Sequence, residues 1–82
     1  MIHIVFLAQL REQLGVATMD VPIADVETVE QLKNHLVSQN PSWEIPLLNA
    51  RVLVAVNHTY AKSDQVLVDG DEVAFFPPVT GG

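Results

Sequence analysis

The chain has no cysteine. It can form no disulfide and offer no thiolate to a metal or a substrate. Glycine is scarce: only Gly15 and Gly70 precede the terminal pair Gly81-Gly82, so no Gly-rich loop is present to cradle a phosphate. Basic residues are few, 4 against 10 acidic ones, for a formal charge of −6. That balance repels nucleic acid and anionic membranes and favours an electropositive protein partner. No apolar run approaches the length of a membrane span, and Met1-Ile2-His3-Ile4 lacks the charged start of a signal peptide. A soluble, cytoplasmic protein is the expectation.

What remains is a chain of 82 residues, 49% of them apolar. That is enough for one domain with a modest core, stable by roughly 5–10 kcal/mol. Ile2 to Leu7 reads as a strand, with Ile2, Ile4 and Phe6 on one face and His3, Val5 and Leu7 on the other; His3 marks the second face as the outer one. Ala8 to Leu14 predicts a short helix capped by Gly15, and Ala17 to Val21 a weak strand stopped by Pro22. The best-marked helix runs from Thr28 to Asn40. Thr28 and Gln31 have capping-box spacing, Val29, Leu32 and Leu36 share a face, and Asn40-Pro41 ends it. Ser42 to Leu48 is read as an irregular packed connection. Arg51 to Val56 predicts a strand, Asn57-His58 a turn, Thr59 to Ala61 a brief return strand, Asp69-Gly70-Asp71 a further turn, and Glu72 to Phe76 the last strand.

These elements imply an α+β domain over residues 1–76, a mixed sheet with one main helix packed on one face. A β-grasp order would place the last strand beside the first, which periodicity alone leaves open. The rival, a ferredoxin-like split βαβ, needs a second long helix that the pattern does not contain.

The chain end carries the chemical signal. The apolar run Val73-Ala74-Phe75-Phe76 passes through Pro77-Pro78-Val79-Thr80 into Gly81-Gly82. The prolines bias residues 77–82 toward polyproline II, an extended tail reaching roughly 18 Å at about 3.1 Å per residue. They also lower the entropy lost on threading the tail into a partner. Glycine lacks a Cβ, so an activating enzyme can approach the Gly82 carbonyl closely. Phe75 and Phe76 must point to opposite faces of their strand. With Val73 and Phe75 inward, Phe76 is exposed beside the tail root, flanked by His3, Val5 and Leu7 if the first and last strands are neighbours. Against this stand two plainer readings: a mobile end of no consequence, and a turn that tucks Phe76 under Pro77.

The side chains offer less. His3, His35 and His58 lie on separate elements without ligand spacing, and His35 falls at the border of the helix's apolar face as a structural histidine. His58, Ser63 and Asp64 are triad residue types without evidence of convergence. Asp69, Asp71 and Glu72 lack the full calcium-loop pattern and read as a solvated turn or an acidic contribution to a partner contact. No metal site is expected.

Phe6 to Gly15, Val54 to Asn57 and above all Asp69 to Gly82 resemble the small, sulfur-carrier subunits of molybdopterin synthase, and the resemblance covers the whole chain. It implies the ubiquitin-like β-grasp fold with a flexible Gly-Gly tail. It implies that an ATP-dependent, E1-like adenylyltransferase adenylates Gly82 and that a sulfur donor converts the adenylate to a thiocarboxylate. The carrier then docks on the large synthase subunit through Phe76, with Val5 and Leu7 beside it. Pro77, Pro78, Val79, Thr80 and Gly81 enter the active site, and sulfur passes to a cyclic pyranopterin monophosphate to build the dithiolene. Two carriers and two large subunits form a heterotetramer. The chain itself binds no cofactor, ATP being used by the activating partner, and is a non-catalytic subunit and sulfur donor. A carrier for the thiamine thiazole and a ubiquitin-like protein modifier are the alternatives.

Overall fold

The computed structural model describes residues 1–49 and 51–78, without the side chains of Asp25 and Asn49. Strand β1 (Ile2–Phe6) leads into helix α1 (Ala8–Leu14), followed by β2 (Thr18–Val21), helix α2 (Val29–Gln39), β3 (Leu53–Val56), β4 (Thr59–Tyr60) and β5 (Glu72–Phe76). The five strands form one sheet in the order β2-β1-β5-β3-β4. β1 and β5 run parallel at its centre, and the other pairs are antiparallel. This is the ubiquitin-like β-grasp arrangement, with the last strand beside the first.

Alternation decides which face is buried. Ile2, Ile4, Phe6, Val54, Val56, Val73 and Phe75 face the core, where they meet Leu10 and Leu14 of α1 and Val29, Leu32 and Leu36 of α2. Phe6 stacks on Phe75 at 6.0 Å between ring centroids and meets Trp43 edge-on at 5.5 Å. Both geometries suit the aromatic quadrupole.

Helix α2 starts where its cap predicts. The Gln31 N–H donates to Thr28 Oγ1 (3.2 Å), and Gln31 Oε1 accepts from the Glu27 N–H (2.9 Å), one residue before the usual capping-box partner. Two more of its orphan donors, Val29 N–H and Glu30 N–H, reach the carbonyls of Gln65 and Ser63. The connection after β4 is thereby tied to the helix start. Gly15 closes α1 at φ 75°, the left-handed conformation that favours glycine.

The stretch expected to be irregular is helical. Pro41–Trp43 forms a 3-10 turn, with proline at its start, and Glu44–Asn49 a short wide helix. Pro46 is tolerated because it lies in the first turn of this helix, where its missing N–H would have no intrahelical partner. β3 begins at Leu53, two residues later than the sequence predicts.

Candidate functional site

The sheet's second face is covered by no element of the described chain, and strand register sorts it into three rows. Farthest from the chain end lie Asp20, His3 and Glu72, aligned across β2, β1 and β5. The middle row is Thr18, Val5, Ala74, Ala55 and Tyr60. Nearest the tail root, Phe76 pairs with Leu53, and Leu7 continues β1 on the other side, its N–H donating to the Phe75 carbonyl (3.0 Å). Two rows are thus largely apolar and one is charged.

Phe76 lies on this open face, as its strand position requires. It is half-buried and not fully exposed, because its ring meets Tyr60 at 5.9 Å and 54°. Leu7, 41% exposed, stands beside it as expected. Val5 is one row away, opposite Ala74, and His3 two rows away, so His3 does not flank Phe76. Parallel register accounts for this: β1 and β5 advance together, so each row contains residues of equal depth. Pro77 and Pro78 follow, both half-buried. The expectations for Val79, Thr80, Gly81 and Gly82 fall outside the described residues.

Sequence reading missed the far side of this surface. Tyr60, 74% exposed, and Leu53, Ala55 and Ala74 complete the apolar area. The signal was present in the turn. Asn57 and His58 take φ of 51° and 69°, a two-residue connection of the left-handed hairpin type. Such a turn fixes register, putting Thr59 opposite Val56 and Tyr60 opposite Ala55. Tyr60 must then share the outward face of Ala55.

The acidic turn is not uniformly solvated. Asp71 is only 8% exposed; its Oδ1 accepts from Asn57 Nδ2 (2.9 Å) and its Oδ2 from the Val68 N–H (2.9 Å). Asn57 Oδ1 accepts from the Glu72 N–H (3.0 Å), so one amide side chain joins the β3–β4 turn to the start of β5. Asp71 is therefore a structural lock, and Glu72 alone of the pair faces the open surface. His35 is half-buried on α2, as a structural histidine should be. Among the described residues no group of histidine and carboxylate side chains is arranged to hold a metal ion. No helix among them is long and apolar enough to cross a membrane.

A model of the ThiS family matches residues 4–82. The chain belongs to the ThiS family. Two similar proteins carry the same description. The molybdopterin synthase sulfur carrier subunit of Escherichia coli K12 is 49% identical over 82 residues, all of both chains. The protein of the same description from Haemophilus influenzae is 39% identical, again over all of both. In structure, the small archaeal modifier protein SAMP1 of Haloferax volcanii is similar with a TM-score of 0.80 and 30% identity, covering 99% of this chain and 98% of its own.

Proposed function

We propose that this ThiS-family chain is the sulfur carrier subunit of a molybdopterin synthase, and that its reactive group is the backbone carboxylate of Gly82. A carboxylate resists nucleophiles, so an E1-like adenylyltransferase first joins it to the α-phosphate of ATP, forming an acyl-AMP and releasing pyrophosphate. A sulfur donor then displaces AMP and leaves a thiocarboxylate. The charged carrier docks on the large synthase subunit, with Phe76, Leu7 and Val5 at the contact, and Pro77 through Gly81 guide Gly82 into the active site. Sulfur passes there to a cyclic pyranopterin monophosphate. Two carriers serve a dimer of large subunits. The carrier holds no cofactor and works in the cytoplasm.

The observation that carries this reading is the 49% identity with a sulfur carrier subunit over the whole of both chains. The open apolar face supports it, because an uncovered surface at the root of the tail is what a subunit that docks and threads requires. The test is a mass spectrum of the intact carrier after incubation with the activating enzyme, ATP and a sulfur source. A sulfur-for-oxygen increase is expected, and none after deletion of Gly81-Gly82, with a thermal melt of the truncated chain expected to show the fold intact. Failure of the full-length chain to gain that mass, where a known carrier gains it, would remove the reading.

The likeness to SAMP1 favours a second reading, a ubiquitin-like modifier whose terminal glycine is joined to lysines of other proteins. Denaturing gels of cells expressing the tagged chain separate the two. Conjugates that survive denaturation and require Gly82 favour the modifier; their absence favours the carrier.

A further inference from the structure

The charged row at the far end of the open face has a feature that sulfur transfer does not use. His3 Nδ1 lies 2.8 Å from Asp20 Oδ1, and His3 stands opposite Glu72 in the β1–β5 register. Across Glu72, His58 Nε2 approaches Glu72 Oε1 at 3.7 Å. The fold thus assembles an alternating row, Asp20, His3, Glu72, His58, from four separate segments. All four side chains are substantially solvent-exposed. The groups facing the imidazoles are these two carboxylates, one from β2 and one from β5; the helices pack on the opposite face. Asp71, next in sequence to Glu72, turns its carboxylate to Asn57 and Val68.

The turn residue sharpens the point. His58 sits at φ 69°, where a hairpin of this type is best served by glycine, and it is 87% exposed. The imidazole of His58 thus stands clear of the core, carried by the turn beside Glu72.

We infer that this row makes docking of the carrier on its protein partner depend on pH. The inference rests on the reading that the open face is the docking surface. With neutral imidazoles the row presents two carboxylates to basic side chains of the partner. With both imidazoles protonated, each carboxylate has an internal cation beside it, and the row's charge falls from two negatives to none. Partner cations and the chain's own imidazolium ions compete for the same oxygens. Imidazoles as a class change charge between about pH 5 and about pH 8, within reach of a modest acidification. Docking is therefore tightest when His3 and His58 are neutral and weakens as they protonate.

The test measures the dissociation constant of the carrier for the large synthase subunit from about pH 8 to about pH 5.5, the range of imidazole titration. The wild type is compared with the double variant His3→Gln, His58→Asn. Asn tolerates the left-handed turn and Gln can still donate to Asp20. The wild type should weaken with falling pH by roughly three- to tenfold more than the variant, the range expected for two exposed charge pairs. Thermal melts of both proteins at each pH confirm that the folded chain is being compared. Equal pH slopes for the two proteins would overturn the inference while leaving docking itself in place. Absence of binding at every pH would instead overturn the docking surface, and this inference with it.

Discussion

Replacing Phe76 isolates the docking face from the core. In Phe76→Ala the lost ring is half-buried, on the side of the sheet away from Phe6 and Phe75. Its intramolecular losses are the contact with Tyr60 and part of the packing on Leu53. An aromatic pair contributes about 0.5–1.5 kcal/mol beyond area burial. The half of its burial made within the carrier adds about 1 kcal/mol, so the melting temperature should fall by roughly 8–16 °C, at about 4–8 °C per kcal/mol in a domain of this size. Docking should suffer as well. Full burial of such a side chain stabilises by about 1.5–3 kcal/mol, and a ring at the centre of an interface behaves as a hot spot. Half of the burial is already made within the carrier, so about 0.8–1.5 kcal/mol remains for the partner, a roughly 4- to 13-fold rise in dissociation constant. Phe76→Arg should be worse, because it places a cation where the −6 carrier meets an electropositive surface. Calorimetry with the purified large subunit gives the affinity and a thermal melt the stability. An affinity within twofold of wild type, from a variant that is folded, would refute the placement of Phe76 at the interface.

Asp71→Ala removes the acceptor for Asn57 Nδ2 and the Val68 N–H, leaving two donors without their buried partner. A loss of about 1–3 kcal/mol is expected by urea denaturation. The docking affinity of the remaining folded protein should be unchanged, since Asp71 lies off the open face. Gly15→Ala adds a Cβ that meets nothing within 4 Å, so its cost is the left-handed backbone alone, about 1–2 kcal/mol by the same measurement. A loss well above that would show a steric contact that the geometry does not contain.

The sequence carried the elements further than it carried the surface. β1, α1 with its Gly15 cap, α2 with its Thr28 cap and β5 all lie where local signals put them, because caps and alternation act within a few residues. Ser42 to Leu48 reads as irregular because prolines at 41 and 46 break the α-helical pattern, and the wide turn that replaces it leaves no period to detect. The bonds from α2 to the Ser63 and Gln65 carbonyls join segments more than 30 residues apart and leave no local trace. The candidate site was legible at Phe76 and Leu7, whose outward direction follows from their own strands. Tyr60 and Leu53 required knowledge that β3, and not β4, pairs with β5. The Asp20–His3–Glu72–His58 row was the least accessible, because three strands and a turn have to be in register before those side chains meet.

The position of β5 bears on how, under the proposed function, a fold this small would present its chain end. An edge strand bonded on one side frays, and a tail leaving it would point in many directions. β5 is bonded on both sides, parallel to β1 and antiparallel to β3, and its inward side chains Val73 and Phe75 are fully buried. Its direction at Phe76 is therefore fixed by the whole sheet. Pro77 and Pro78 extend that fixed direction, since each locks its own φ. Leu7 and Leu53 flank Phe76 on either side, so the proposed docking surface surrounds the point where the chain leaves β5. Under the proposed function docking and aiming are then one event, because a partner seated on Phe76, Leu53 and Tyr60 would meet Pro77 and Pro78 in a direction the sheet has already set. A chain whose last strand lay at the sheet's edge would have to fix those two things separately, with more entropy lost on binding.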